Sequence, residues 1–183
     1  MSKEKSTSAL KEILNTSIYF LVCLLIAFFI VKFVGQRTEV IGNSMLTTLE
    51  DGNNLILDKI SYKFSDPKRF DIIVFPFRNG SDKTYIKRII GLPGETVYID
   101  LDGNIYINDE LLVESYGREV INNPGNAYNT ITLSDNEYFV LGDNRNNSED
   151  SRFSEVGTVS RSEILGKVFI RIWPLSEFGR VDK

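Results

Sequence analysis

The sequence predicts a mostly β protein, with one N-terminal transmembrane helix followed by an antiparallel β-sheet domain. Two patterns carry this prediction. A continuous apolar run occupies residues 18–31, and from Gln36 onward β-branched and aromatic runs are bounded by Gly, Pro, Asn and Asp. No crossover helices are indicated between the predicted strands, so an antiparallel arrangement is expected.

The apolar run from Ile18 to Val31 is the predicted membrane anchor. As a helix it would be about 21 Å long, shorter than a hydrocarbon core of roughly 30 Å, whereas residues 13–34 would reach about 33 Å. A cleaved leader and a buried core helix are the alternatives. The exit, residues 32–36, offers no small-x-small junction for cleavage, and no later segment resembles a helical partner. A spanning helix over residues 13–34 is therefore predicted.

Charges on either side of the helix predict its orientation. Three lysines lie within residues 1–12, and two basic residues, Lys32 and Arg37, follow the apolar run. This excess favours a cytoplasmic N-terminus. We therefore expect residues 1–12 in the cytoplasm, residues 13–34 in the membrane and residues 35–183 as an extracytoplasmic β-rich domain.

The domain contains a series of short predicted strands. Asp102-Gly103 lies between two of them and is a hairpin signal. Residues 115–128 show the least pattern and are predicted to form a loop, whereas Ser160 and Glu163 have capping-box spacing and predict a short helical turn. The predicted strands are residues 54–58, 71–75, 84–90, 96–100, 104–107, 130–133, 137–141 and 167–173.

Composition excludes several classes of site. The 183 residues can hold one anchor and one domain. The chain has no histidine, which excludes a Ser-His-Asp triad, a Cys-His dyad and histidine-ligated zinc. Its single cysteine, Cys23, cannot form an internal disulfide. A net charge of −4 argues against a nucleic-acid partner.

Without histidine, a serine nucleophile needs another base, and lysine is one option. Ser44 follows Gly42, and glycine lets the backbone turn sharply or lets another chain approach closely. Lys87 shares one face of its predicted strand with Tyr85 and Ile89, and such surroundings can desolvate an amine and lower its pKa. Each residue also fits a structural role, as a strand end for Ser44 and a solvated strand position for Lys87.

A third segment, residues 142–152, is dense in short polar side chains and carries two arginines beside acidic residues. It fits either a polar surface loop with weak ion pairs or a buried network that orients a catalytic group. Composition alone favours the surface loop. Only its combination with the segments around Ser44 and Lys87 favours the network.

Taken together, the three segments resemble bacterial type I signal peptidases of the Gram-positive type, Ser-Lys proteases that remove signal peptides from exported preproteins. The resemblance covers the anchor and the whole domain in the same order. Lys87 stands where the endoplasmic-reticulum and archaeal branch carries histidine. The family's boxes are similar to Gly42-Asn43-Ser44-Met45 with Thr48-Leu49, residues 70–75, Tyr85-Ile86-Lys87-Arg88 with residues 91–94, and residues 142–152.

The resemblance implies a role for each matched residue. Ser44 would attack the scissile carbonyl, and its backbone N–H would stabilise the oxyanion. Lys87, as a neutral amine, would take the Ser44 proton and later activate the deacylating water. The other implied assignments are Ser148 as the hydrogen-bond partner that orients Lys87, a supporting shell of Asp143, Asp150 and Arg152, and Met45, Tyr85 and Ile86 around the pockets for small −1 and −3 side chains.

The implied partners are exported preproteins and membrane lipid. The resemblance implies no metal, no organic cofactor and no nucleic acid.

One departure from the family pattern concerns the nucleophile loop. The family motif usually reads Ser-Met-x-Pro-Thr, and here Thr47 replaces the proline, which would fix φ at about −65°. The change predicts either a looser loop or a specialised paralogue. Two other functions therefore stay open: a non-catalytic relative that kept the fold, and a Ser-Lys peptidase dedicated to one partner, such as a pilin-like precursor.

Overall fold

The computed structural model describes residues 2–29, 35–77 and 83–181. The chain forms two compact units, Met1–Gln36 and Arg37–Lys183.

The first unit contains helix α1, Ser2–Phe29. Across the described ranges, no helix combines the length and the apolar character that a membrane crossing requires. The last five residues of the predicted span, 30–34, lie outside the described residues.

The predicted antiparallel β domain is confirmed. One short helix, α2 (Ser61–Phe64), follows the second strand. The strands are β1 (Gly35–Glu39), β2 (Asn54–Asp58), β3 (Ile72–Pro76), β4 (Thr84–Gly91), β5 (Thr96–Ile99), β6 (Ile105–Ile107), β7 (Glu110–Leu111), β8 (Ile131–Thr132), β9 (Glu137–Leu141), β10 (Val159–Ser160), β11 (Gly166–Trp173) and β12 (Gly179–Arg180).

Two sheets organise these strands. The larger has the order β1-β2-β11-β3-β4-β9-β10, with β12 beside β11, and the smaller has the order β7-β6-β5-β8. Strand β4 lies inside the larger sheet, between β3 and β9, and pairs with both in the antiparallel sense. Lys87 on β4 stands opposite Ile73 on β3. The strand that carries the candidate base is therefore an interior strand.

The hairpin predicted at Asp102-Gly103 is confirmed. Strands β5 and β6 pair with Ile99 opposite Ile105, and residues 100–104 form the connection. Gly103 has a φ of +82°, in the left-handed region where a side chain is strained. The turn therefore requires glycine at this position.

The short helical turn predicted near Ser160 is also confirmed, as a 3₁₀ turn at Arg161–Glu163. The backbone N–H of Ser160 donates a 2.7 Å hydrogen bond to the Glu163 carboxylate, which is half of the predicted capping box. The predicted loop at residues 115–128 contains one 3₁₀ turn, Gly125–Tyr128.

Strand β4 is buried on both faces, and its last six residues are all buried. One face contributes Ile86 to an apolar cluster with Val168 of β11. The other contributes Ile89 to a second cluster with Val140 of β9. Because side chains alternate along a strand, Lys87 shares the face of Ile89. Its aliphatic stem therefore lies in an apolar environment.

Candidate active site

Ser44 lies in the loop between β1 and β2, and both ends of this loop are fixed. Met45 and Leu49 are 1% and 0% exposed and belong to the apolar core. Before the serine, the backbone N–H of Gly42 donates a 2.7 Å hydrogen bond to Asp51, and Gly42 has a φ of +88°. The half-buried Ser44 is thus presented by a turn that only glycine adopts without strain.

Asn144 holds the backbone of the nucleophile from the opposite side. Its side-chain amide donates to the Asn43 carbonyl at 2.9 Å, and its backbone N–H donates to the Ser44 carbonyl at 3.0 Å. The Asn43 carbonyl and the Ser44 N–H belong to one planar peptide and point in opposite directions. Fixing the carbonyl therefore fixes the direction of the Ser44 N–H, the predicted oxyanion donor.

Lys87 and Ser44 meet at hydrogen-bond distance. Lys87 Nζ lies 2.8 Å from Ser44 Oγ and 3.1 Å from the Ile86 carbonyl oxygen. The Lys87 residue is 2% exposed. Burial lowers the pKa of Lys87 to about 8, and the charges of Asp150, Glu149 and Asp143 oppose that shift. The desolvation that strand alternation only permitted is thus present in the structure.

The protonation state of Lys87 decides what the pair can do. As an ammonium, Lys87 donates to Ser44 Oγ and has no lone pair with which to accept a proton. As a neutral amine, it accepts the hydroxyl proton. With a pKa of about 8, roughly one tenth of the molecules carry the neutral amine at pH 7. The arrangement can therefore act as a base near neutral pH.

Asp143 forms a buried pair with Arg88 on β4. Arg88 Nε and Nη2 donate to the two carboxylate oxygens at 2.8 and 2.7 Å, and the side chains are 3% and 0% exposed. Thr48 adds a 2.5 Å hydrogen bond to the same carboxylate. The Arg88 guanidinium also lies 3.9 Å from the centre of the Tyr116 ring. This cluster joins the nucleophile loop, β4 and the polar loop.

Asp150 and Arg152 form a second buried pair within the polar loop. Arg152 Nε and Nη2 lie 2.8 and 2.9 Å from the two Asp150 oxygens, with side chains 1% and 0% exposed. Asp150 also accepts the backbone N–H of Gly142. The loop is therefore a buried network rather than a polar surface loop. In the described part of the chain, no group of three or more acidic or cysteine side chains is arranged to hold a metal ion.

Ser148 reaches the site, but the hydrogen bond predicted between Ser148 and the Lys87 amine is not formed. Its hydroxyl is buried and has no hydrogen-bond partner among the described residues, and the partners of Lys87 Nζ are Ser44 Oγ and the Ile86 carbonyl oxygen. A Cβ at Gly142 would lie 2.5 Å from the Ser44 carbonyl oxygen and would also meet the Ser148 hydroxyl. Ser148 therefore lies close to the nucleophile loop. Gly142 contacts both, and this position has no room for a side chain.

The three predicted pocket residues occupy different environments. Tyr85 is half-buried, and its ring centre lies 4.8 Å from Lys87 Nζ. Met45 and Ile86 are 1% and 8% exposed and belong to one core cluster. Tyr85 therefore borders the site directly. The assignment of Met45 and Ile86 to substrate pockets stays a prediction.

Four residues of the matched boxes have no role assigned from the sequence, although the structure brings them to the site: Thr48, Arg88, Asn144 and Glu149. A buried aspartate needs a cationic partner, and Arg88, next to Lys87 in the sequence, was a candidate partner for Asp143. Asn144 and Glu149 lie inside the polar loop, where several similar side chains compete. Their contacts depend on loop conformation, and no spacing rule predicts them.

Comparison with known proteins places the chain in a family. The family described as "Signal peptidase, peptidase S26" matches residues 13–173. The chain is 38% identical to a signal peptidase I from Leptolyngbya laminosa, over 98% of this chain and 88% of that protein. It is 39% identical to a signal peptidase I from Bacillus caldolyticus, over 80% of this chain and 84% of that protein.

A crystal structure of a signal peptidase I from Enterococcus faecalis is 38% identical to the chain, covers 57% of this chain and 97% of that one, and has a TM-score of 0.46. The assignment to a family rests on the sequence matches.

Proposed function

The chain belongs to the signal peptidase family, peptidase S26, a family of serine endopeptidases, and we propose that it removes N-terminal signal peptides from exported preproteins. Cleavage would follow a small-x-small junction, with Ser44 as nucleophile and Lys87 as general base. The observation that carries this proposal is the buried Lys87 amine, 2.8 Å from the Ser44 hydroxyl.

The first half of the reaction forms an acyl-enzyme. Neutral Lys87 accepts the Ser44 proton as Oγ attacks the scissile carbonyl carbon, and the carbonyl oxygen becomes an oxyanion. The Ser44 N–H, whose direction is fixed by Asn144, donates to that oxyanion. When the carbon–nitrogen bond breaks, the Lys87 ammonium returns its proton to the leaving amine. The mature protein then departs with a new N-terminus.

The second half releases the signal peptide. Lys87 is neutral again and accepts a proton from a water molecule, which attacks the ester carbonyl. The ester bond to Ser44 breaks, and the proton returns from Lys87 to Ser44 Oγ. The same amine therefore serves both steps. The buried pairs Arg88–Asp143 and Arg152–Asp150 support this reuse because they hold the surrounding loops in one arrangement.

The orienting role of Ser148 belongs to this proposal. Its buried hydroxyl lacks a hydrogen-bond partner among described residues, and an ammonium has three donors, of which Ser44 and Ile86 take two. In the working enzyme, Ser148 would accept the third N–H of Lys87 and hold the amine towards the substrate.

We also propose that the chain is anchored in the bacterial cell membrane by one pass over residues 13–34, with residues 1–12 cytoplasmic and the β domain extracytoplasmic. The support is the apolar run in the sequence together with the exposure of its side chains. Tyr19 and Phe20 are 74% and 66% exposed, and the described side chains of residues 13–26 are all exposed. A helix that is apolar all round needs an apolar environment.

The decisive experiment uses full-length protein in detergent with a precursor that carries an Ala-x-Ala junction. Ser44→Ala and Lys87→Ala should each abolish cleavage, because they remove the nucleophile and the base. Exposed Ser115 and Lys83 provide matched controls, and Ser115→Ala and Lys83→Ala should cleave as the wild type does.

Circular dichroism of each variant separates loss of activity from loss of fold. Full activity in either Ser44→Ala or Lys87→Ala would disprove the Ser-Lys mechanism. A folded wild-type protein that does not cleave this precursor would instead favour a dedicated substrate or a non-catalytic role.

A further inference from the structure

A hydrogen bond links the strand of the candidate base to the polar loop. The Tyr85 hydroxyl donates to Glu149 Oε2 at 2.6 Å. Tyr85 lies two residues before Lys87 on β4, and Glu149 lies between Ser148 and Asp150 in the loop. The bond therefore closes a bridge beside the Ser44–Lys87 pair, between two segments that are 64 residues apart in the sequence.

The Tyr85 ring covers the amine on this side. Its centre lies 4.8 Å from Lys87 Nζ, and the ring packs against Phe75 and Phe77, with centroid distances of 6.0 and 4.8 Å. Burial is the main cause of the lowered pKa of Lys87. A contact that holds the Tyr85 ring in place therefore also keeps water away from the Lys87 amine.

Glu149 adds a charge as well as an acceptor. The titratable and charged groups around the Lys87 amine are Tyr85 on the same strand and Asp143, Glu149 and Asp150 in the loop. Lys87 faces apolar Ile73 on the neighbouring strand β3. Asp143 and Asp150 are each paired with a buried arginine, whereas the Glu149 carboxylate accepts from a neutral phenol.

The tyrosine hydroxyl remains a donor over the working pH range. Burial raises the pKa of Tyr85, and the hydrogen bond and charge of Glu149 raise it further. Tyr85 is thus protonated wherever Lys87 titrates, and the bond persists while the amine changes its charge. The bridge and the titration of Lys87 can therefore be perturbed separately.

Resting on the proposed function, we propose that Glu149 is a positioning residue for Lys87: it ties the Tyr85 ring over the amine and places a negative charge beside it. The hydrogen bond to Tyr85 and the negative charge of Glu149 shift the pKa of Lys87 in opposite directions. The covering ring favours the neutral amine, whereas the carboxylate favours the ammonium. Glu149 would thus adjust the fraction of base-competent enzyme without touching substrate.

Two variants separate these effects. Glu149→Gln keeps an acceptor oxygen for the Tyr85 hydroxyl but removes the charge, so the pKa of Lys87 should fall. Tyr85→Phe keeps the ring but removes the tie, which admits water to the amine, so the pKa of Lys87 should rise. Glu155 is an exposed glutamate further along the chain. The control Glu155→Gln should leave the pKa of Lys87 unchanged.

The titration can be measured without any substrate. Full-length protein in detergent, labelled with ¹³C at the lysine Cε, would be titrated by NMR, and the Lys87 signal would be assigned by its loss in Lys87→Met. Shifts of opposite sign in Glu149→Gln and Tyr85→Phe are the expected result. A Lys87 midpoint that is the same in Glu149→Gln and in the wild type would overturn the proposal.

Precursor cleavage supplies the second readout. In Glu149→Gln, the acid limb of the kcat/KM profile should move to lower pH by the same amount, with KM within twofold of the wild type. An unmoved acid limb in an active Glu149→Gln enzyme would also overturn the proposal. If the wild type does not cleave the precursor but the NMR midpoints shift as expected, the proposed removal of general signal peptides fails and the link between Glu149 and Lys87 stands.

Discussion

Burying the Lys87 amine destabilises the fold at neutral pH. The folded-state pKa is about 8, below the ordinary value for lysine, so between those two values the unfolded chain holds a proton that the folded chain has released. Stability contributed by this group therefore rises with pH across that window, and the full cost is present below about pH 8. The amine that we propose as the base is thus buried at the expense of stability.

We therefore expect Lys87→Met to raise the free energy of unfolding at pH 7 by roughly 1–3 kcal/mol, with a smaller gain near pH 10. Urea unfolding of the full chain, followed by the fluorescence of its single tryptophan, Trp173, measures this. The exposed control Lys83→Met should change stability little at either pH. Destabilisation by Lys87→Met at both pH values would mean that the amine contributes more through its contacts than its burial costs.

The pH dependence of cleavage follows from the same group. Because only the neutral amine can accept the Ser44 proton, kcat/KM should increase with pH and level off above about 8, the pKa of Lys87. Below that value it should fall tenfold per pH unit. The measurement is precursor cleavage by full-length enzyme at constant ionic strength. A profile that is flat between pH 6 and 9 would contradict a lysine base.

Ser148→Ala should weaken cleavage without abolishing it, because Lys87 would lose the partner that we propose for its third N–H. We expect a fall in kcat of roughly tenfold to a hundredfold with little change in KM. Stability should be unchanged or slightly higher, since the variant removes a buried hydroxyl that has no partner among described residues. Unchanged kinetics would show that the loop around Ser148 is only structural.

At the scale of elements, the Arg88–Asp143 pair joins β4 to the polar loop. Arg88→Gln leaves the Asp143 carboxylate buried without its cation, and we expect a loss of about 3–5 kcal/mol in the free energy of unfolding. The matched control is Arg118→Gln. Arg118 pairs with Glu119 at 3.6 Å and is 48% exposed in its side chain, so its removal should cost about 0–1 kcal/mol. Equal losses in both variants would contradict a structural role specific to the buried pair.

The longer strands were predictable because each has a clear pattern of β-branched and aromatic residues between turn formers. Strands β2 and β9 have the predicted bounds, and the other predicted strands differ from the structure by one residue at one or both ends. The two-residue strands β7, β10 and β12 were missed, since two residues show no alternation. β1 was missed as well.

For the candidate site, the sequence indicates which segments meet but few of the contacts between them. A chain without histidine leaves few bases for a serine, which favours Lys87 as the partner of Ser44, and the structure brings their side chains together. The partners of Asp143 and Lys87 depend on side-chain packing across separate segments, which local sequence patterns do not encode. That is why the sequence does not predict the pairing of Arg88 with Asp143 and why the Ser148 hydrogen bond differs from the prediction.

At the scale of the whole molecule, the proposed anchor should act by restricting where the enzyme searches for substrate. Ten residues separate Val34 from Ser44 in the sequence, so the nucleophile can lie at most about 35 Å from the membrane. A precursor cleaved at the end of its own apolar segment is confined to the same zone. Because enzyme and precursor are both held at the membrane, the effective concentration of the precursor at the enzyme is raised.

Removing residues 1–34 should therefore leave kcat/KM for a soluble peptide within severalfold of the full-length value, and should lower cleavage of a precursor embedded in liposomes by tenfold or more. Both substrates would be assayed with both proteins, and a folded truncated domain would be verified by circular dichroism. An equal effect on the two substrates would show that the N-terminal unit affects the activity of the β domain itself rather than the rate at which enzyme and precursor meet.

The hydrogen bond from Asn144 to the nucleophile loop spans 101 positions of the chain. Ser44 emerges early in synthesis, whereas the residues that fix its peptide emerge near the end. Contacts between such distant segments form late in folding, after the cost of loop closure is met. A chain threaded through a membrane with only its first hundred residues delivered would hold an unassembled catalytic centre. The order of the segments thus keeps the candidate site incomplete until residues 143–152 have been delivered.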